Sequence, residues 1–438
     1  MQPPTPEFSY GPPRGMRDFY PEDMVVRNAI FDAWARAARR FGFAQYDACV
    51  VENLDLLRRK GGEEIVEQIY AFKDKSDREL ALRAEMTPTL ARMIVARQGQ
   101  LAFPLKWFTI AQCFRYERTS KGRKREHYQW NLDCIGEDSV LAEAEVIAAA
   151  VHALSLMGLG PGDFFVHVNS RALLSDLFLK LGIAREHHAA TFLALDKRGK
   201  IEENETARLL AQEGVGAEAV GAIFKLLAVT SMAEALPVLG EETAAYRRLA
   251  ELLALCAKCG IADRVKFDIS VVRGLGYYTG IVFEAFDAGR QFRAIFGGGR
   301  YDNLLSDLGG RPASAVGLGF GDVVVAELLA NQGKLKAAPP HVEVAIGYME
   351  ASQRDAALFL ARALRDGGQD VDLALHPEKA RAFFSRVGNS SVAKAVYIGP
   401  DDVQRGTARM KDLLSRTDAE IPIPVVSQPS PDCPSHET

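Results

Sequence analysis

Hydrophobic and polar positions divide the chain into segments with different periods. Apolar residues recur at helical spacing after Pro21 and end before Gly42, so we predict a helix there. Helical patterns also cover 137–157, most of 172–262 and 323–329. Strand patterns are predicted at 265–271, 277–286 and 291–296, just before a cluster of glycines.

Beyond the polar and proline-rich segment 331–340, strand and helix patterns alternate in short units. The strand-like runs are VEVAIGYM, VDLAL and KAVYIG, with a helical pattern between each pair. This alternation predicts a separate compact α/β domain joined by a linker.

One stretch, FRYERTSKGRKREHYQWNLD at 114–133, has the pattern of a strand, a basic loop and a returning strand. Side chains two apart share a face of a strand, so Arg115 and Glu117 are predicted on one face. Gln129, Asn131 and Asp133 are predicted to share a face on the return.

Polar side chains at period two are costly to bury without partners, so this face is predicted to line a pocket. The loop between the strands suits a polyphosphate because it is rich in cations. Those cations are Arg118, Lys121, Arg123, Lys124 and Arg125. Together the pocket and the loop indicate a site that activates a substrate with a nucleotide.

Composition narrows the class of protein without naming an activity. The formal net charge of −4 argues against a general nucleic-acid coat, although one basic loop can still grip a shaped RNA. There is no run of 18 apolar residues, so no membrane span is expected, and the first fifteen residues lack the apolar core of a signal peptide. Six scattered cysteines suit a reducing compartment, so the expected location is the cytoplasm.

Three motifs follow one another along the chain. They are LRAEMTPTLAR at 82–92, FRYE at 114–117, and RGLGYYTGIVFE at 273–284 followed by GGGRYD at 297–302. With these motifs the chain resembles the class II aminoacyl-tRNA synthetases and, within them, the histidyl-tRNA synthetase family. The likeness extends from Gly15 to Arg416.

The resemblance implies an α+β fold, with an antiparallel sheet flanked by helices, a helical insertion and a C-terminal α/β anticodon-binding domain. The implied boundaries are 1–165 and 263–332 for the two parts of the catalytic core, 166–262 for the insertion, 333–340 for the linker, 341–425 for the anticodon-binding domain and 426–438 for a disordered tail. A homodimer is also implied.

The resemblance implies the reaction of a histidine–tRNA ligase. L-Histidine would attack the α-phosphate of ATP to give histidyl-adenylate, and the histidyl group would then be transferred to tRNA(His). Mg²⁺ bridging the phosphates would be the expected cofactor, with no metal site of the protein's own.

Residues that match the family motifs are expected to hold ATP at one end of the site. Arg115 should hold the carboxylate and the α-phosphate, and Arg273 should act as a second cation there. Arg123 should reach the outer phosphates, and Glu117 should position Arg115 or the adenine amino group.

The histidine end is expected to combine acceptors for the ammonium group with phenols around the imidazole. The resemblance assigns the ammonium group to Glu85, Thr87, Gln129 and Asp133, although Glu85 could instead belong to the ring end. It assigns the imidazole to Tyr277, Tyr278 and Tyr301, with Arg273 nearby.

Three positions depart from the family pattern. Cys49 stands where a proline is common at the dimer interface, and Gly276 stands where an acid is frequent. Val324 stands where the third motif, here GLGFGDVVVAELL, normally has an arginine that contacts adenine and the γ-phosphate. Candidate substitutes for that arginine are Lys124 or Arg125, and His127 or Tyr128 as stacking partners.

Two other functions fit parts of the same pattern. The chain could be a catalytically silent, histidine-binding regulatory subunit of the ATP phosphoribosyltransferase of histidine biosynthesis, or a stress-sensing pseudo-synthetase domain. Such regulatory subunits usually lack the C-terminal domain, which is present here together with Arg115, Arg123 and Arg273. The histidine–tRNA ligase is therefore the main prediction.

Overall fold

The structure is a computed structural model that describes residues 10–60, 68–120, 122–196, 201–273, 276–334 and 342–424. The chain divides into two compact units, Met1–Leu335 and Lys336–Thr438. Most of the predicted linker and all of the predicted tail lie outside the described residues, and so do Lys121, Gly274 and Leu275.

The strands of the described residues are β1 (Ala44–Gln45), β2 (Val51–Asn53), β3 (Ala71–Lys73), β4 (Glu79–Leu82), β5 (Leu105–Phe114), β6 (Glu126–Ile135), β7 (Phe164–Ser170), β8 (Val265–Phe267), β9 (Ile281–Asp287), β10 (Phe296–Arg300), β11 (Ala315–Gly321), β12 (Val344–Tyr348), β13 (Val371–Leu373), β14 (Lys394–Ile398), β15 (Thr407–Asp412) and β16 (Asp418–Pro422).

The helices of the same residues are α1 (Pro21–Arg40), α2 (Leu54–Lys60), α3 (Thr87–Arg97), α4 (Leu141–Leu156), α5 (Arg171–Lys180), α6 (His188–Asp196), α7 (Glu203–Gln212), α8 (Ala217–Leu226), α9 (Met232–Leu239), α10 (Ala244–Lys258), α11 (Leu304–Asp307), α12 (Asp322–Asn331), α13 (Arg354–Asp366), α14 (Ala380–Gly388) and α15 (Pro400–Arg405). None of them is both long and apolar enough to cross a membrane.

In the described part of the first unit, eight strands form one sheet in the order β1-β5-β6-β11-β10-β9-β7-β8. The two outermost pairs, β1 with β5 and β7 with β8, are parallel, and the other neighbours are antiparallel. This α+β architecture, an antiparallel-dominated sheet flanked by helices, is the predicted fold class.

The two faces of the sheet have different side chains because successive residues of a strand point in opposite directions. On β6, Trp130 and Leu132 enter the main hydrophobic core, where Trp130 stacks on Trp34 of α1 and the strand contacts α4. Gln129, Asn131 and Asp133 point to the opposite face. The predicted alternation on this strand is therefore confirmed, and one face of the sheet is free for a site.

A buried ion pair connects the glycine-rich motif at 297–302 to the helical layer. Arg300 on β10 donates to both carboxylate oxygens of Glu143 on α4, and Glu143 is fully buried. Removing either partner would leave an uncompensated buried charge, which typically costs about 3–5 kcal/mol. Arg300 therefore has a structural part in this motif.

Four strand boundaries differ from the prediction. Strand β8 ends at Phe267, four residues earlier than the predicted strand 265–271. Strand β5 ends at Phe114, so Arg115 and Glu117 lie just beyond it and not on it. Strand β9 starts at Ile281, four residues later than expected, and 291–296 contributes only its last residue to a strand. The glycine cluster is itself strand β10, because neighbouring strands pair with its backbone on both sides.

The helices between β7 and β8 occupy most of the segment predicted as a helical insertion. Their apolar residues, such as Leu210, Ile223 and Leu249, belong to the same core cluster as residues of the sheet. The domain boundaries given above stay predictions.

The second unit has a five-stranded sheet in its described residues, in the order β13-β12-β14-β15-β16. Strand β12 pairs in parallel with β13 and β14, as expected for α/β connections, and β15 and β16 complete an antiparallel edge. Tyr348, Leu360 and Val396 are among the residues of its own core.

Candidate active site

A cavity of about 1440 Å³ lies in the described part of the first unit, over the polar face of the sheet. It brings together ten of the eleven predicted site residues. They are Glu85, Thr87, Arg115, Glu117, Arg123, Gln129, Arg273, Tyr277, Tyr278 and Tyr301. The eleventh, Asp133, is buried directly behind Tyr301, whose hydroxyl donates to Asp133 Oδ1 at 2.6 Å.

The cavity carries more positive than negative groups, in contrast to the chain as a whole. Seven Lys and Arg side chains line it, against four acids. A cleft with this excess attracts anions and concentrates them near its wall. The cavity is therefore suited to a polyanionic ligand such as a nucleotide triphosphate.

Arg115 is anchored at the end of β5 by one hydrogen bond. Its Nε donates to the backbone carbonyl of Ala84 at 2.9 Å, which fixes the side chain at the cavity wall. The carboxylate of Glu117 pairs with Arg123 in the described structure and not with Arg115. The ion pair thus holds the loop arginine in place and leaves Arg115 available to a ligand.

Arg273 has an unusual backbone and a tightly held side chain. Its φ of 58° is in the left-handed region, which costs about 1 kcal/mol or more in a residue other than glycine. Nη1 donates to Glu284 at 2.8 Å, and Nη2 lies 3.5 Å from the hydroxyl of Tyr278. Burial disfavours the charge, yet Tyr278 and Glu284 raise the pKa of Arg273 overall, so it stays cationic.

Two buried acid–tyrosine pairs lie beside these arginines, since Arg273 reaches Tyr278 and Arg115 is held next to Glu85. Tyr277 donates to Glu85 Oε2 at 3.3 Å, and Tyr301 donates to Asp133. Burial raises the pKa of Glu85, which the positive charge of Arg115 opposes, and raises that of Asp133 to about 7. Within the described residues Glu85 Oε1 and Asp133 Oδ2 are buried without hydrogen-bond partners. Unpaired buried acceptors favour a ligand that brings N–H groups.

Glycines on two strands make room for these polar side chains. A Cβ on Gly297 would overlap the Arg273 guanidinium, and one on Gly317 would overlap the Asp133 carboxylate. The GLGFG run at 317–321 is thus part of strand β11, which passes beneath the cavity. Sequence reasoning did not foresee this packing role.

Further residues that line the cavity were not among the predicted site residues, and four of them carry polar or charged groups close to the predicted ones. They are Asn131, His127, Glu284 and Arg293. The alternation on β6 had already placed Asn131 on the same face. No sequence signal marks Arg293, because the pattern of 291–296 indicates a strand and belongs to no functional motif.

The fold and the cation-rich cavity together define a class II aminoacyl-tRNA synthetase architecture. The chain belongs to the histidyl-tRNA synthetase family, whose sequence model matches residues 15–321. It is 40% identical over 409 residues to the chloroplastic/mitochondrial histidine–tRNA ligase of Arabidopsis thaliana, covering 93% of this chain and 84% of the relative.

Solved structures share the fold. A histidyl-tRNA synthetase from Nostoc superposes with a TM-score of 0.80 at 23% identity, covering 95% of this chain and 97% of that one. A Bacillus halodurans protein described as an ATP phosphoribosyltransferase regulatory subunit/histidyl-tRNA synthetase superposes with a TM-score of 0.75 at 24% identity, covering 90% and 99%. Because both identities are low, these likenesses bear on the fold alone.

Proposed function

We propose that this protein is a histidine–tRNA ligase that activates L-histidine with ATP and transfers it to tRNA(His). The observation that carries the proposal is that one cavity combines a group of arginines with two adjoining, buried acid–tyrosine pairs. Arg115, Arg123 and Arg273 form the group, and Glu85 and Asp133 with their tyrosines form the pairs. The family membership and the name of the Arabidopsis relative support the same function.

Activation joins two anions, so the main tasks are positioning and charge neutralisation. A carboxylate oxygen of histidine forms a bond to the α-phosphorus, and the bond to the bridging oxygen breaks as pyrophosphate leaves. Arg115 and Arg273 neutralise charge at the α-phosphate, and Arg123 binds the outer phosphates. The pairing of Glu117 with Arg123 fixes that arginine before ATP arrives.

Mg²⁺ held by the phosphates of ATP would supply further charge neutralisation. No group of three or more His, Cys, Asp and Glu residues in the described part of the chain is arranged to hold a metal.

Histidine recognition combines both acid–tyrosine pairs with Thr87 and Gln129. Glu85 and Asp133 each have an unpaired oxygen that can accept from an ammonium or imidazole N–H. Hydrogen bonds join Glu85 to Tyr277 and Asp133 to Tyr301, so each proposed ammonium acceptor touches a proposed imidazole contact. Within each pair, the group proposed for the ammonium end is thus hydrogen-bonded to a group proposed for the imidazole end.

The second step esterifies the terminal ribose of the tRNA. In the C-terminal unit, Arg405, Arg409 and Lys411 are exposed and are proposed to contact the anticodon stem. We further propose that the enzyme is a homodimer in the cytoplasm. Light scattering of the purified protein tests the dimer, and a monomer at micromolar concentration that still charges tRNA would contradict it.

The experiment that tests the proposal is exchange of labelled pyrophosphate into ATP, with each amino acid supplied in turn and no tRNA present. We expect exchange with histidine alone. If the protein is instead a regulatory subunit, calorimetry should detect histidine binding while no exchange occurs. That result would overturn the proposal of a ligase. The intact arginines of the cavity favour exchange.

A further inference from the structure

The start of α12 contributes an uncharged wall to the cationic part of the cavity. Val323 and Val324 line the cavity there, and both are largely buried. The neighbouring loop is tied to the same helix, because the backbone N–H of Gly122 donates to Glu327 Oε1 at 3.0 Å. The helix therefore holds the loop but offers no cation to a phosphate.

Arg293 lies against this junction from a different part of the chain. A Cβ on Gly122 would be 3.4 Å from Val324 Cγ2 and 3.6 Å from Arg293 Cδ, so the stem of Arg293 is packed beside both. The residue is exposed and lines the cavity. It precedes strand β10, whose pairing on both sides fixes the backbone a few residues away.

The charges around Arg293 favour the binding of an anion by its side chain. Partial burial and the positive charge of Arg123 lower the pKa of Arg293, and Glu117 opposes that shift. Glu117 is already paired with Arg123. In the described part of the chain, Arg293 makes no hydrogen bond or ion pair of its own. A negatively charged ligand beside Arg123 and Arg293 would relieve the electrostatic repulsion between these two arginines.

We propose that Arg293 binds the terminal phosphates of ATP together with Arg123 and supplies the charge that Val324 cannot. This inference rests on the proposed function, because it assigns a further ATP-binding residue to the same cavity. Arg293 reaches the phosphates from the strand side, whereas Arg123 reaches them from the loop.

The other candidates for this task are less suited to it. Arg125 packs over Tyr116, with its Cζ atom 3.9 Å from the ring centre, and does not line the cavity. Tyr128 packs against Arg27 and Phe31 and does not line it either. Burial lowers the pKa of His127 to about 3, so it lacks a charge at neutral pH. Lys124 lines the cavity and is the remaining competitor.

The test is the pyrophosphate-exchange reaction of the full-length protein carrying Arg293→Ala, Arg293→Lys or Lys124→Ala. Loss of a charged hydrogen bond predicts that Arg293→Ala raises the KM for pyrophosphate and for ATP about 10- to 100-fold. The KM for histidine should change less than about twofold. Arg293→Lys should recover part of the loss, because the charge is kept while the planar fork is removed.

Arg39→Ala is the matched control, since Arg39 is exposed near the end of α1 and does not line the cavity. Unchanged KM values for pyrophosphate and ATP in Arg293→Ala would overturn the inference. The same would follow if Lys124→Ala alone raised them. If the unaltered protein gives no histidine-dependent exchange, the proposed function fails instead. A rise in the KM for histidine equal to that for ATP would indicate a general disturbance and also contradict the assignment.

Discussion

At the scale of single residues, the site depends on groups held in costly states by their surroundings. Arg273 has a left-handed backbone, and its guanidinium occupies space that exists only because residue 297 is glycine. Strain of this kind persists where the surroundings fix the conformation. The ion pair with Glu284 and the contact with Tyr278 provide that constraint.

Arg273→Ala is expected to reduce histidyl-adenylate formation by about 10²- to 10³-fold, because charge at the α-phosphate loses a preorganised partner. Binding of tRNA should be nearly unchanged, since the anticodon contacts are proposed in the other unit. Single-turnover adenylate formation and a filter-binding assay measure the two quantities. Glu284→Gln, which keeps the cation but weakens its ion pair, should give a smaller loss. Near-normal activation by Arg273→Ala would contradict the role.

The raised pKa of Asp133 predicts that the free energy of unfolding depends on pH. Burial raises its pKa to about 7, whereas an aspartate in the unfolded chain titrates near 4. Between these values the folded state binds a proton that the unfolded state does not, so stability falls as the pH rises through this window and levels off above about pH 7.

Asp133→Asn removes this titration and keeps the shape of the side chain. It should raise the Tm of the ligand-free protein at pH 8 by about 2–6 °C, with a smaller rise at pH 5. It should also weaken histidine binding, which calorimetry can measure. An equal change in Tm at both pH values would show that the carboxyl does not titrate as described.

At the scale of elements, the site is built on the strands β6, β9, β10 and β11, of which the sequence revealed the first most clearly. The alternation of Gln129, Asn131 and Asp133 with Trp130 and Leu132 predicted both faces of β6 correctly. Strand β10 was missed because glycines carry no side-chain period, and only its pairing partners make it a strand.

The glycines of strand β11 give a prediction at the scale of elements. Gly317→Ala would place a methyl group against the Asp133 carboxylate, and such overpacking costs about 1–3 kcal/mol. The affinity for histidine is expected to fall about tenfold or more. Gly321→Ala is the control on the same strand, because its Cβ would meet no atom within 4 Å. Equal histidine affinity in the two variants, measured by calorimetry, would rule out this part of the account.

Loop contacts between distant segments were beyond sequence reasoning. Arg293 and Val324 come close together because of the register in which β10 pairs with β11, and no local sequence pattern predicts this proximity. The same holds for Arg300 and Glu143, whose pairing depends on how α4 packs on the sheet. The sequence could therefore predict which residues of a motif belong to the site. Only the structure could show which residues of other strands and helices contact them.

At the scale of the whole molecule, activation and tRNA recognition are assigned to different compact units. The cavity residues all lie in the first unit. Arg409 and Lys411 share one face of β15, since they are two apart on the strand and both exposed. Arg405 is exposed at the end of α15.

Changing Arg405, Arg409 and Lys411 together to Ala should raise the KM for tRNA about tenfold or more. It should also reduce the slope of log affinity against log salt by about 2–3, because three phosphate contacts are removed. Pyrophosphate exchange without tRNA should stay unchanged. The triple replacement of Arg354, Arg362 and Arg365, which are exposed on α13, is the control for net charge. An unchanged salt slope would remove these residues from the tRNA interface.

The most direct test of the ligase is the charging of tRNA by the purified full-length protein. Labelled histidine, ATP, Mg²⁺ and a tRNA(His) transcript are incubated, and the esterified product is separated on an acid gel. We expect histidyl-tRNA to form only when ATP and tRNA(His) are both present, and to be lost in Arg273→Ala. Histidine binding with no adenylate and no charged tRNA would contradict the ligase and favour a regulatory histidine-binding protein.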